Sequence, residues 1–278
     1  MQKGFLKSRC LWCGSLFLGG NAMKIYKTFS LKRSAALGIL AVFVFCALFG
    51  GGGAFAVSCV NSLKKLPIYS VKTEEKKIAI TFDAAWSADD TDELIEIMEK
   101  FDAHCTFFAV GDWLDKNPKE AKRLFDAGNE IANHSNTHPA FSKLSKDKVK
   151  EEIVACNAKI KAITGKDNKL VRAPSGDYDN KSVEAAEELN MKMIQWSIDS
   201  LDWKKLSSEE MTARLVSRAE NGAIMLFHNG VKNTPSAFYE VLKKLTDEGY
   251  SFVTVSELIY WDNYKIDSTG KQINQENP

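Results

Sequence analysis

The sequence predicts an α/β fold, a (β/α) barrel of about seven parallel strands preceded by one N-terminal transmembrane or signal helix. Three observations lead there. From residue 76 to about 260, short apolar runs alternate strictly with amphipathic helical patterns. Such alternation implies right-handed crossovers and a parallel sheet, and seven units are enough to curl into a barrel. The first apolar run is followed by T-F-D-A-A-W rather than a glycine-rich loop, which argues against the open, doubly wound, dinucleotide-binding alternative. Finally, residues 35–57 carry no charge, and a stretch of that length spans a bilayer.

Lys24, Lys27, Lys32 and Arg33 precede the uncharged stretch, and a basic flank stays cytoplasmic. Residues 1–34 therefore read as a cytoplasmic basic segment and 35–57 as a transmembrane anchor or signal sequence. Residues 58–75 read as a linker, 76–262 as the barrel and 263–278 as a polar tail. Ala54-Phe55-Ala56 resembles an A-x-A cleavage site, so a removed signal competes with a retained anchor. The domain is expected outside the cell membrane in both cases, tethered in one and secreted in the other. Met23 offers a second start site for a conventional basic leader.

Four of the six cysteines lie at or before Cys59, leaving Cys105 in an apolar strand pattern and Cys156 in a helical one. Two buried thiols are expected, and no disulfide framework. Cys10 and Cys13 form a C-x-x-C pair with no second pair to complete a zinc site. The first 60 residues hold seven of the 37 Lys/Arg and no Asp or Glu, so 30 basic groups face all 36 acidic ones in the remainder. That balance gives no reason to expect nucleic acid, whose phosphates need a clustered basic surface. A neutral or weakly charged substrate fits better.

Strands are expected at residues 77–82, 105–110, 130–133, 170–172, 192–197, 223–227 and 251–254. Helices are expected at 91–101, 118–127, 146–164, 182–189, 208–219 and 236–248. Gly128, Gly165 and Gly249 stop three of these, and Ser207 with Glu210 forms a capping box.

In a parallel barrel the reactive residues gather at the carboxyl ends of the strands. Asp83, His134, His138, Arg172, Asp199 and His228 all fall there, including three of the four histidines. His134 and His138, four apart in H-S-N-T-H, can share a metal if their loop makes a helical turn. Position 135 is Ser where the helical zinc-protease motif has Glu, so a general base must come from elsewhere. His104 precedes a strand, at the opposite end, and reads as structural or exposed.

T-F-D at 81–83, H-S-N-T-H at 134–138, R-A-P-S-G-D-Y at 172–178, D-S-L-D-W at 199–203 and L-F-H at 226–228 resemble the five ordered motifs of the polysaccharide deacetylases, carbohydrate esterase family 4. The resemblance covers about residues 76–260 and implies a distorted (β/α) barrel. It implies that His134 and His138 bind a divalent metal, commonly zinc, that Asp83 is general base and that His228 is general acid. Arg172 would orient Asp83, and Asp199 would hold and tune His228. Trp203 and Leu226 would wall the acetyl pocket, and a backbone N–H near Tyr178 would meet the oxyanion. Tyr178, Trp203 and Trp86 offer flat faces for sugar rings.

Where the family usually has a second aspartate as third metal ligand, this chain has Ala84. The similarity extends to a spore- and peptidoglycan-associated branch with F-D-x-x-W variants. The implied activity is metal-dependent removal of N-acetyl groups from a cell-wall glycan, such as peptidoglycan. A catalytically weakened wall-binding or spore-assembly protein, or an O-acetyl esterase using the same site, are the alternatives.

Overall fold

The computed structural model describes residues 64–276. The strands are β1 (Ser70–Val71), β2 (Lys77–Ala84), β3 (Thr106–Ala109), β4 (Glu130–Asn133), β5 (Leu170–Val171), β6 (Lys192–Met193), β7 (Ile198–Asp199), β8 (Ile224–His228), β9 (Ser251–Val253), β10 (Tyr264–Ile266) and β11 (Lys271–Asn274). The helices are α1 (Thr91–Lys100), α2 (Gly111–Lys116), α3 (Pro118–Asp126), α4 (Lys146–Thr164), α5 (Asn180–Glu188), α6 (Ser208–Val216), α7 (Thr234–Asp247) and α8 (Val255–Leu258). The basic segment, the uncharged stretch 35–57 and the cysteines up to Cys59 lie outside the described residues. Among the described residues no helix is long and apolar enough to cross a membrane.

The main sheet runs β6-β5-β4-β3-β2-β8-β7, all neighbours parallel, and β9 pairs with the first residues of β2. This is a half-barrel of seven strands. The expected strand 192–197 is strand only at its start, β6, which lies beside β5, and β7, which begins just after that range, lies beside β8 at the other end of the path. Between them the chain leaves the ladder. Ile194 N–H still donates to Val171 O at 2.8 Å, Gln195 N–H turns to Ile68 O at 2.7 Å, and Ser197 N–H reaches Ile224 O at 3.0 Å. The peptide groups change partner residue by residue, so the run crosses the opening instead of extending one strand.

Period-two alternation along β2 creates two cores. Ile78, Ile80, Phe82 and Ala84 face the helix layer, whereas Ala79 points inside with Phe108, Ala132, Leu170 and Ile224. Phe82 stacks on Phe107 at 4.8 Å and on Phe227 at 5.5 Å and meets Phe238 edge-on at 5.2 Å. Burying each such side chain contributes about 1.5–3 kcal/mol. Helix ends follow the sequence signals. Ser207 and Glu210 form the capping box of α6, and Gly165 ends α4 with φ 73°. Cys105 and Cys156 are free and buried, and burial pushes the Cys156 thiol up to about 12.

The linker and the polar tail are both corrected. Residues 70–71 form β1, which pairs parallel with β11, and β11 pairs antiparallel with β10. Ile68 and Val71 are buried. The tail folds because D-S-T-G makes a turn. Asp267 Oδ1 accepts from Thr269 N–H at 2.8 Å and Lys271 N–H at 3.0 Å, and Gly270 has φ 85° with Tyr69 packed where a Cβ would stand. Buried Gln272 exchanges two hydrogen bonds with the Tyr260 backbone, 2.8 Å to its N–H and 2.5 Å to its carbonyl.

Gln272→Ala leaves both Tyr260 groups unpaired, at a cost of about 2 kcal/mol. For a domain of this size that lowers Tm by about 4–8 °C, which differential scanning calorimetry would read. An unchanged Tm would mean that the small sheet does not contribute to folding.

Candidate active site

The strand ends converge on a cavity of about 440 Å³ lined by Asp83, His134, His138, Trp196, Asp199, Trp203, Leu226 and His228, with Ala85, Trp86 and Ser175 completing its wall. Asp83 and His228 are opposite each other in the β2–β8 ladder. Neighbouring parallel strands lie about 4.8 Å apart, so register alone sets a carboxylate beside an imidazole.

Asp83 is held from behind by Arg172, which is 0% exposed. Its Nη1 donates to Asp83 Oδ1 at 2.7 Å and to Thr81 Oγ1 at 2.9 Å, and its Nη2 donates to the Gln195 carbonyl at 3.0 Å. The guanidinium also lies 4.0 Å over the Phe108 ring. Burial opposes the charge on Asp83, but Arg172 with the neighbouring imidazoles His134 and His228 outweighs it. The carboxyl is left below its ordinary range.

The H-S-N-T-H loop is not a helical turn, because Ser135 and His138 have φ 66° and 62°. Side chains fix it instead. Asn133 Oδ1 accepts from Ser135 N–H at 2.8 Å, Ser135 Oγ accepts from His138 N–H at 2.9 Å, and Glu152 accepts from Asn136 N–H and Thr137 N–H. Gly111 is required beside it, since a Cβ there would stand 2.3 Å from Asn136 Oδ1.

The loop still brings the two imidazoles together, with ring centres 5.0 Å apart. His134 Nδ1 lies 3.0 Å from the Arg172 carbonyl. A carbonyl only accepts, so Nδ1 carries the proton, and Nε2 keeps its lone pair 3.3 Å from Asp83 Oδ2. Burial pulls His134 down to about 4 and also lowers His138.

Two neutral imidazoles suit a metal ion, yet they are two donors. Among the described residues no group of three or more His, Cys, Asp or Glu side chains is placed to hold a metal. Catalytic zinc sites have three protein ligands, so the residues present do not complete one. Ala84 does not line the cavity. It is 0% exposed and packs in the helix-facing apolar core.

On the other side, His228 is held by Asp202, not Asp199. Asp202 Oδ1 accepts from His228 Nδ1 at 2.7 Å and Trp203 N–H at 2.9 Å, while Oδ2 accepts from His228 N–H at 2.7 Å and Thr234 Oγ1 at 3.0 Å. Four donors satisfy a carboxylate that is 1% exposed. Asp199 caps the preceding turn, accepting from Leu201 N–H at 2.8 Å. Leu201 is left-handed, φ 57°, and that turn swings Asp202 inward. The second acid of D-S-L-D-W was the only sequence signal for it.

Tyr178 is not among the cavity-lining residues, and its hydroxyl bonds Tyr69 at 3.0 Å. Trp196, which sequence reasoning passed over as part of a strand, lines the cavity with its ring 5.4 Å from the Arg172 guanidinium.

Burial lowers the His228 pKa, but the Asp202 hydrogen bond and the charges of Asp83, Asp202 and Asp199 raise it above 6.5 overall. The stabilisation is therefore complete below pH 6.5, the unfolded value, and is lost as pH rises through the folded one. NMR titration of the His228 ring should give a pKa above 6.5 that Asp202→Asn lowers. A variant ring titrating at the wild-type value would discount the Asp202 contact.

The polysaccharide deacetylase family model matches residues 70–194. The protein YlxY of Bacillus subtilis is 30% identical over 200 residues, 72% of this chain and 62% of that protein. The peptidoglycan-N-acetylglucosamine deacetylase PgdA of Listeria monocytogenes is 34% identical over 212 residues, 76% of this chain and 44% of that protein. The chain thus spans less than two thirds of either relative. The structure of BA3943, a CE4 family pseudoenzyme from Bacillus anthracis, superposes with a TM-score of 0.67 at 30% identity, covering 75% of this chain and 73% of that one. A mutant of that pseudoenzyme with restored enzymatic activity superposes with the same TM-score at 33% identity, covering 70% and 71%. With the fold, the ordered strand-end residues and these similarities in agreement, the chain belongs to the polysaccharide deacetylase family, carbohydrate esterase family 4.

Proposed function

We propose that the chain recognises an N-acetylated cell-wall glycan and that its cavity hydrolyses the acetamide. The observation that carries this reading is the pairing of two differently backed groups on one cavity: Asp83 on buried Arg172, and His228 on buried Asp202. A binding groove has no use for two such pairs. Asp83, held ionised, takes a proton from water as the water oxygen bonds the acetyl carbon. His228, whose Nδ1–H is committed to Asp202, gives the proton on Nε2 to the departing nitrogen as the C–N bond breaks. Acetate and a free amine result. Trp203 and Leu226 wall the acetyl methyl. The peptidoglycan deacetylases among the relatives support the substrate class, and an extracytoplasmic setting, expected from residues 35–57, suits it.

A second reading, a wall-binding protein with weakened catalysis, is favoured by Ala84 and by the likeness to a pseudoenzyme. The metal question separates the two. His134 and His138 offer a divalent ion two neutral donors, and we propose that they hold it weakly.

Acetate release from peptidoglycan by the full chain tests the hydrolytic reading. Asp83→Asn and His228→Ala should each lower turnover by about 10²-fold or more, with circular dichroism at the assay temperature checking that Asp83→Asn, which leaves buried Arg172 without its counter-charge, is still folded. No release by the wild type at saturating divalent metal would leave the wall-binding reading.

Ala84→Asp tests the metal. A carboxylate buried among apolar side chains without a partner costs several kcal/mol, so Tm without metal should fall by about 6 °C or more. Recovery on added zinc, with tighter calorimetric binding than in the wild type, requires the end of β2 to turn this carboxylate from the helix layer towards His134 and His138. No recovery would show that position 84 serves the apolar core alone. Equal, tight, one-to-one binding in both forms would show that the wild-type site is already complete.

A further inference from the structure

Three large apolar side chains stand out as exposed among the described residues: Val154, Trp86 and Trp203. The two tryptophans, each 52% exposed, line the same cavity. Half-exposed indoles lose burial energy that a core position would have supplied, so a pair on one rim calls for a ligand.

Their surroundings differ. Trp203 follows Asp202, and Lys204 Nζ lies 4.9 Å over its ring. Trp86 stacks on His228, with ring centres 5.0 Å apart and planes at 20°. That stack is held by the loops on both sides. Ser87 O accepts from Asn229 Nδ2 at 2.7 Å and Trp113 Nε1 at 3.5 Å, and Asp90 Oδ2 accepts from Gly230 N–H at 2.7 Å. Gly230, φ 72°, approaches so closely that a Cβ would stand 2.8 Å from Ser87 Cβ. The residues after Trp86 and after His228 are thus locked together. With the inner face on the imidazole, the exposed area of Trp86 belongs to its outer face and edge.

We propose that Trp86 is a glycan-binding residue whose outer indole face takes the sugar ring next to the one whose N-acetyl group enters the cavity. This rests on the glycan reading of the cavity. Stacked groups sit about 3.5–4 Å apart, so a ring on the outer face lies on the order of 8–9 Å from the His228 imidazole. Its own amide nitrogen is out of reach of that ring, whereas the neighbouring unit's is not. The ligand class is therefore an oligomer of N-acetylated sugars, and chain length is what Trp86 reads. The aromatic face, not side-chain volume, supplies the contact.

Isothermal titration calorimetry of the full chain with the N-acetylglucosamine tetramer and with the monosaccharide tests this. Trp86→Ala should weaken the tetramer about five- to tenfold and the monosaccharide by clearly less. Trp86→Phe should recover most of the loss, with thermal melts confirming folding. If Trp86→Ala does not fold, the contrast between Trp86→Phe and Trp86→Leu carries the same test, since only the first keeps a flat face. Equal tetramer affinity in wild type and Trp86→Ala overturns the proposal alone, as does an equal loss for both sugars. A wild type that binds neither sugar overturns it together with the glycan reading.

Discussion

A guanidinium removed from water must be neutralised, and Asp83 neutralises Arg172 while Thr81 and the Gln195 carbonyl take further donors, leaving Nε buried without a hydrogen-bond partner. These partners come from β2 and from the segment that crosses between β6 and β7. Arg172 itself follows β5, with its N–H on the Asn133 carbonyl of β4. Its own carbonyl fixes the His134 tautomer. One side chain and its peptide therefore tie together β2, β4, β5 and the crossover. Loss of either charge would strand the other in an apolar interior, typically at 3–5 kcal/mol, so the ion pair that orients Asp83 also ties β2 to the end of β5.

The opposite side uses the same device in reverse polarity. Asp202 is the buried charge, and His228 is the partner that reaches the cavity. Because Asp83 and His228 are ladder partners on adjacent parallel strands, sheet register fixes the separation of the two pairs, and a one-residue slip would turn one of them out to the helix layer. Backbone pairing, rather than loop conformation, therefore sets the distance between Asp83 and His228. Trp86 and Trp203 adjoin these two pairs directly in sequence or by stacking, so the rim inherits its precision from the strands beneath.

Much of this was legible in the sequence where a local rule governs. Apolar runs gave β2, β3, β4 and β8 within a residue or two, and the Ser207–Glu210 box and Gly165 stop marked helix ends. What escaped depends on tertiary context. The run 192–197 looks continuous because nothing local says that Gln195 N–H will turn to Ile68. The tail looks loose by composition, yet its alternating Y-K-I and K-Q-I-N segments flank a turn and find β1. In the site, Asp83, Arg172 and His228 follow from strand-end placement. Choosing Asp202 over Asp199 requires the left-handed Leu201, and Tyr178 is diverted by Tyr69, a residue far away in sequence.

Ala84 takes its meaning from the same alternation. Asp83 faces the interior, so the next residue along β2 packs with Phe82 against the helix layer, and alanine there is an ordinary core residue. A carboxylate at that position is tolerable only if a cation repays its burial. Of the acids at the cavity, Asp83 is paired with Arg172 and Asp202 with His228, whereas Asp199 caps its own turn through Leu201 N–H. Burial holds the imidazoles of His134 and His138 towards their neutral form. The two ion pairs behind the cavity are each complete in protein groups. Ala84 lies outside both ion pairs, so its side chain touches neither the Asp83–Arg172 nor the Asp202–His228 contact.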